Sequence, residues 1–361
     1  MSTPISQFDY HLPKERIAQY SVEPRDSSKL MLLDRTTGEI EHKHFYDIVD
    51  ELNAGDVLVF NDTKVFRARL EGRSREVENG EGKKIEVFLL RCVSNVSVSH
   101  SVWQALLRPG KKVQVGDVIE IGFEGDGRDH PVRIIVREKH EDGVALLGFP
   151  MDEMSVLSFT DTHGSIPVPP YVNEVPDDAN KYQTVYAREV GSVAAPTAGF
   201  HFTQELLDKI KAKGVEIVFV TLHVGIGTFR PVQTETIEEH VMHAEFVTIS
   251  KETAQQINRA KKEGRRVIAV GTTTVRSLEG AAMLSGGKLP EEFSGDVNMF
   301  IKPGFEFCVI NALITNFHLP KSTLLVLVSA LAGREHILHA YEEAVRDQYR
   351  FFSFGDAMFI R

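Results

Sequence analysis

Between Val65 and Phe159 the chain changes character, and no other feature limits its fold as strongly. Short runs such as KIEVFLLRCV, SVWQALLR, DVIEIGF, VRIIVRE and GVALLGF are separated by clusters of Gly, Asp and Asn. Apolar runs of that length bounded by turn residues predict a small all-β unit. EGDGRD and KHEDG are the expected hairpin turns, because Asp-Gly and related steps tolerate the positive φ that tight hairpins need.

The flanks follow a different rhythm. GDVLVFND reads as a buried strand ending in polar residues, and strand-helix alternation resumes from about Val185. In FTQELLDKIKAKGVEIVFVTLHVG, Thr203 is placed to cap a helix, Glu205 suits its positive end, Gly214 ends it, and EIVFVTL is the next strand. SKETAQQINRAKKEGRRVIAVGTTT repeats the scheme with Ser250 as cap, Gly264 as stop and RVIAV as strand. The β unit therefore reads as an insertion. Residues 1–64 and 160–361 are expected to form one discontinuous α/β domain, with a sheet buried between helices, and residues 65–159 the inserted domain. The stretch SIPVPPYVNEVPDD reads as an exposed crossing back from the insertion.

Charge and cysteine usage narrow the class. A net charge of -10 argues against a broadly basic nucleic-acid coat, leaving only local patches: Arg73 with Arg75, Lys83 with Lys84, Arg108 with Lys111 and Lys112, and Arg265 with Arg266. Cys92 and Cys308 stand far apart with no Cys-x-x-Cys spacing, which excludes a disulfide framework and a thiolate zinc site and fits a reducing compartment. The N-terminal residues lack the apolar core of a leader, and the longest apolar stretch, from Thr323 to Gly333, falls short of the roughly 20 residues that span a bilayer. A cytoplasmic protein that neither enters nor crosses a membrane is expected.

Polar and glycine-rich segments follow the α/β strands, where open sheets bind ligands. They contain Asn61, Asp62, Thr63 and Lys64; Thr221, His223, Gly225, Gly227 and Thr228; Thr273 and Arg276 in VGTTTVRSLEG; and Asn316, His318 and Lys321 before a helix capped by Ser322. GTTTVRSLE suits an anion or nucleoside at a helix N-terminus, and equally a turn whose threonines cap free amides. AAPTAGFHFT sets small residues, Thr197 and His201 ahead of a capped helix, so that a flat ligand can approach the backbone. No P-loop is present, and the lone Gly-x-Gly of GIGTFR lacks the third glycine of a dinucleotide site. Fourteen histidines match no zinc template: His240 and His243 are three apart without His-Glu-x-x-His, so no metal is expected. As proton carriers these histidines are better suited.

Together these segments resemble the S-adenosylmethionine:tRNA ribosyltransferase-isomerase family, from FDYHLP to YRFFSFGDAMFI. The markers are IAQ with EPRDSSKLMLLDR, GDVLVFNDTKV, ARL, YQTVYA, GSVAAPTAGFHFT, TLHVGIGTFRPV, MHAE, GTTTVRSLE and LITNFHLPKSTLLVLVSALAG. Ser21 and Arg67 stand where the family pattern has proline, and the insertion matches loosely. The resemblance implies a barrel-like α/β domain interrupted by a small β-barrel, with the active site between them. It implies S-adenosylmethionine as co-substrate, no prosthetic group or metal, and a tRNA carrying 7-aminomethyl-7-deazaguanine at the wobble position. The product is epoxyqueuosine, with adenine and methionine released. A monomer without an obligate protein partner is expected.

Such chemistry needs a base for the hydrogens beside the sulfonium, a donor for departing adenine, and dry positioning. His243 and Glu245 are the expected acid-base pair, with His223 and His318 next. Asp62, Thr63, Lys64, Thr197, His201, Gly225, Gly227, Thr273, Arg276 and Asn316 are expected to hold substrate, and Lys64 or Arg276 to meet the methionine carboxylate. Arg350 and Asp356 read as structural tethers. Two rivals remain. An S-adenosylmethionine-dependent RNA methyltransferase would favour an early glycine loop, whereas the only Gly-x-Gly of the α/β part comes late, at Gly225. A non-enzymatic RNA-binding protein would need an aromatic platform on the insertion, where Trp103 is the single tryptophan.

Overall fold

The structure, a computed structural model, describes residues 2–74, 82–97, 99–122, 131–141, 143–168, 171–172, 179–224, 234–242 and 244–361. The turn EGDGRD, part of KHEDG and part of the proline-rich crossing lie outside the described residues, as do Arg75, Gly225, Gly227, Thr228 and His243.

Nine strands form one mixed sheet in the order Phe293–Val297, Glu245–Ile249, Glu216–His223, Val57–Asn61, Val267–Val270, Ala312–Asn316, Ala357–Ile360, Lys29–Leu33, Ile40–His44. The four from Glu216–His223 to Ala312–Asn316 run parallel. Their near-continuous apolar sequences follow from burial on both faces. In Val57–Asn61, Val57 and Val59 join one core with Ala254, Ile257, Val275, Leu278 and Leu325, while Leu58 and Phe60 join another with Leu206, Leu207 and Ile210. Covering helices begin where expected: Thr203 accepts from the Leu206 amide at 3.1 Å, Ser250 from Thr253 at 3.3 Å and Ser322 from Leu325 at 3.1 Å. Gly214 and Gly264, at φ of 89° and 71°, follow two of these helices in the left-handed region that glycine enters without strain. None of the described helices is long and apolar enough to cross a membrane.

The insertion is a closed antiparallel barrel of six strands, in the order Arg69–Ser74, Lys84–Ser97, His100–Arg108, Val144–Phe149, Val132–Lys139, Val118–Ile121. The last pairs with the first again. Trp103, Ile119, Val136, Leu147 and Phe149 fill it. A helix, Glu153–His163, follows, its first turn capped by Asp152, and it straddles residue 159. The six-strand ring draws in Arg69–Ser74, a run with too few apolar residues to stand out in sequence.

Two chain crossings connect barrel and sheet, and they bind each other. Thr63–Val65 on the way out pairs in parallel with Glu189–Ser192 on the way back. The Gln183 amide accepts from Val65 N at 3.1 Å and donates to Val65 O at 2.7 Å, acting as one more rung. The expectation of an exposed return is corrected for the described part of the crossing. Ile166 and Val172 are buried with Tyr182, Ala195, Phe200 and Phe354, because a proline-rich extended chain still turns its apolar side chains onto a neighbouring surface.

Glu279, fully buried on the helix Thr272–Leu284, accepts from the backbone amides of Cys308, Val309 and Ile310 at 2.8, 3.0 and 2.9 Å. Replacing it strands two buried donors and one part-buried donor, each buried one costing ~1–3 kcal/mol. Glu279→Ala is expected to lower stability by about 3 kcal/mol or more in urea unfolding; an unchanged midpoint would show that those amides find other partners.

Candidate active site at the carboxyl edge of the sheet

Parallel strands bring their carboxyl ends to one edge, and the polar segments gather there. Asn61 ends its strand fully buried; its side chain accepts from Leu222 N and Thr63 N at 3.1 Å each and donates to Leu222 O at 3.3 Å, so the ladder continues through a side chain. Asp62 is also buried. Thr221 Oγ1 donates to its Oδ1 at 2.7 Å and Arg188 Nε to its Oδ2 at 2.7 Å. Burial pushes the Asp62 carboxyl above its ordinary range, and the bonds from Thr221 and Arg188 oppose the shift.

His223 closes the neighbouring strand with Nδ1 3.3 Å from Thr63 Oγ1. A Cβ on Gly191 would lie 2.7 Å from the imidazole, so that position has no room for a side chain. Burial lowers the His223 pKa, favouring the neutral ring, while the carboxylates of Asp62, Glu153 and Glu189 pull the other way. Glu153 follows the barrel and Arg91, which also acts on His223, stands on a barrel strand, so this imidazole feels charge from both parts of the molecule. Arg91 also reaches across to Asp296 at 2.8 Å.

A second group forms over the next strands. Thr197 Oγ1 donates to Asn316 Oδ1 at 3.1 Å, Asn316 Nδ2 lies 3.0 Å from His201 Nε2, and His201 Nδ1 lies 2.7 Å from Ser28 Oγ. With Asn316 donating, Nε2 is the acceptor and Nδ1 carries the proton to Ser28. Burial first, then Arg350 and Arg25, push the His201 pKa down to about 3. The third group is an ion pair: Arg276 Nη1 meets Glu245 Oε2 at 2.5 Å with both side chains buried. Arg276 stands one turn into Thr272–Leu284, which starts directly after its strand at Gly271, φ 89°. The positive end of that helix therefore faces the same edge, with Thr273 in its first turn. Arg276 Nε has no hydrogen-bond partner among the described residues.

The expected site residues thus separate into sets. Asp62, Thr63 and His223 meet, as do Thr197, His201 and Asn316, and Arg276 with Glu245. Lys64 is exposed on the alternate face of its short strand. Arg276 is engaged by Glu245 rather than held open. His318 belongs to a different cluster: its Nε2 lies 3.0 Å from Thr315 Oγ1, its amide donates to Tyr341, and its carbonyl accepts from Tyr10. Asp356 tethers the backbone amides of Lys29 and Arg350 at 2.9 and 2.8 Å. Ser28, Arg188 and Ser192 were not singled out in the sequence, although all three lie in or beside the motifs. Ser192 Oγ accepts from Val224 N at 3.1 Å.

His201 and His318 both have pKa values pushed down to about 3, His318 by burial. The folded state holds them neutral while the unfolded chain protonates near 6.5, so their contribution is complete above pH 6.5 and is lost as pH falls toward 3. Each group then contributes a slope of about 1.4 kcal/mol per pH unit. Urea unfolding at pH 7 and pH 5.5 is expected to show this loss, and a smaller one in His201→Asn; equal losses in both proteins would remove His201 from the acid response.

The pattern describing the queuosine biosynthesis protein family matches residues 5–360. Among solved structures, the chain is 39% identical to a crystal structure described as an S-adenosylmethionine tRNA ribosyltransferase from Thermotoga maritima, with a TM-score of 0.55. That match covers 99% of this chain and 100% of the other. The barrel-in-sheet architecture, the motifs at the carboxyl edge and the end-to-end match agree, and the chain belongs to the queuosine biosynthesis protein family.

Proposed function

We propose that this protein transfers and isomerises the ribosyl part of S-adenosylmethionine onto 7-aminomethyl-7-deazaguanine at the wobble position of tRNA. The product is epoxyqueuosine, with adenine and methionine released. One observation carries the reading: three buried polar sets lie along the carboxyl edge of the parallel strands, and barrel charges reach His223 in one of them. The described relative is itself an S-adenosylmethionine tRNA ribosyltransferase. The site lies mainly in residues 1–64 and 160–361, with residues 65–159 facing it as a separate domain. A cytoplasmic setting, where thiols stay reduced, suits the free Cys92 and Cys308, and the enzyme is taken to act as a monomer.

The chemistry needs a neutral base near an electropositive sulfur, and a depressed pKa beside carboxylates suits His223 to that task. His243 and Glu245 form the alternative acid-base pair. In that alternative Glu245 must give up part of its hold on Arg276, freeing the guanidinium for the methionine carboxylate. Thr197, His201 and Asn316 form a donor-acceptor chain suited to a nucleobase edge, and Thr273 sits at the helix end that favours an anion. Asp62 and Thr63, with Gly225 and Gly227, complete the proposed nucleoside cradle.

Incubating the protein with S-adenosylmethionine and tRNA bearing the aminomethyl base should release adenine and methionine and yield the epoxycyclopentane nucleoside. Methylated RNA with S-adenosylhomocysteine would instead establish a methyltransferase. His223→Ala should lower kcat by about 100-fold or more, the range of a lost general base, with tRNA binding retained. Turnover intact in His223→Ala but lost in His243→Ala and Glu245→Gln would transfer the base to that pair.

A further inference from the structure

At the edge of the sheet remote from Glu245, three side chains converge. His42 stands on the strand Ile40–His44; Glu343 lies in the last turn of the helix Arg334–Arg346, and Asp347 caps it. Spacing of four places the two carboxylates on one helix face. His42 Nε2 is 3.1 Å from Glu343 Oε1 and 3.4 Å from Asp347 Oδ2, and the three atoms lie within 4.8 Å of one another.

Each group is held by a further residue. Tyr349 Oη lies 2.8 Å from His42 Nδ1 and directs its own hydrogen toward Leu30 O at 3.5 Å. His42 Nε2–H donates to Glu343 Oε1 at 3.1 Å; metal binding would displace that proton, so that Nε2 presents its lone pair and Nδ1–H turns to the Tyr349 phenol. Arg346 takes the other carboxylate oxygens, Glu343 Oε2 through Nη2 and Asp347 Oδ1 through Nε, both at 3.3 Å. The oxygens nearest His42 are therefore the ones that Arg346 does not hold. His42 and Asp347 line a cavity of about 540 Å³ together with Lys29 and Lys43.

We propose that His42, Glu343 and Asp347 form a divalent-metal site suited to zinc. Imidazole nitrogen and carboxylate oxygen are both zinc ligands, and the imidazole favours zinc over the hard cations that take oxygen alone. Donors on a tetrahedral zinc with bonds of ~2.0–2.1 Å are about 3.3 Å apart, close to both separations from His42 Nε2, and the two carboxylate oxygens lie within 4.8 Å of each other. Water from the cavity supplies the fourth position. Tyr349 fixes the ring and Arg346 the carboxylates, the arrangement by which outer partners orient metal ligands. The ion would clip the edge strand to the last helix and favour the folded state by mass action. Lys29 and Arg346 are nearby cations that temper its affinity.

The test uses the full chain, stripped with a chelator and titrated with zinc in competition with a chromophoric chelator. The expected result is one site that raises the thermal unfolding temperature. It should be lost in His42→Gln and Asp347→Asn, weakened about 10–100-fold in Tyr349→Phe, and kept in the exposed control His339→Gln. Circular dichroism confirms that each variant folds. Zinc binding by folded His42→Gln equal to that of the parent, or no binding by the parent, overturns the proposal.

Discussion

Parallel strands buried on both faces leave a protein one dry-to-wet border where polar groups can be held rigidly, and the architecture depends on that constraint. Val57–Asn61 shows why. Its side chains enter one core or the other, so the first place for polar chemistry is its carboxyl end, at Asn61 and Asp62. The neighbouring strands run parallel to it and bring their carboxyl ends to the same edge, so His223, three positions beyond the partner of Asn61, gathers there with Gly271 and Asn316. The antiparallel strand beginning at Glu245 brings its first residue to the same border, because its pairing sets Phe246 against His223.

Holding polar groups at such a border requires that each be paired, since an unpaired buried group costs several kcal/mol. Asp62 meets Thr221 and Arg188, His201 lies between Ser28 and Asn316, and Glu245 meets Arg276. These pairings keep the side chains in one geometry before any substrate arrives, which is what a reaction between two large substrates needs. The barrel adds a wall. Its neck, sewn by a parallel ladder and the Gln183 amide, fixes the barrel against the edge so that Arg91 and Glu153 act on His223.

Much of this was legible along the chain because its signals are local. Caps at Thr203, Ser250 and Ser322 act within three residues, glycine stops act at one position, and strand runs declare themselves by apolar content. The insertion was visible as a small all-β unit through its short runs, its closure into a barrel only through the family resemblance, and the site segments through their position after strands. Less legible was what each polar residue does. Arg276 reads as a free cation in sequence and is an ion-pair partner in space; His318 reads like His223 and sits in a separate core. Lys64 follows two buried site residues, yet strand alternation turns it to solvent.

By itself the sequence determined the α/β and all-β segments, their order, and the motifs at the strand ends. Propensity, capping and hydrophobic period are properties of neighbouring residues. Only the tertiary structure decided which groups meet. Ser28 reaches His201 across 173 positions and Arg188 reaches Asp62 across 126, and a hydrogen bond between distant positions leaves no local trace in either. The same reason governs the charge state of His201, which burial sets and no stretch of sequence states.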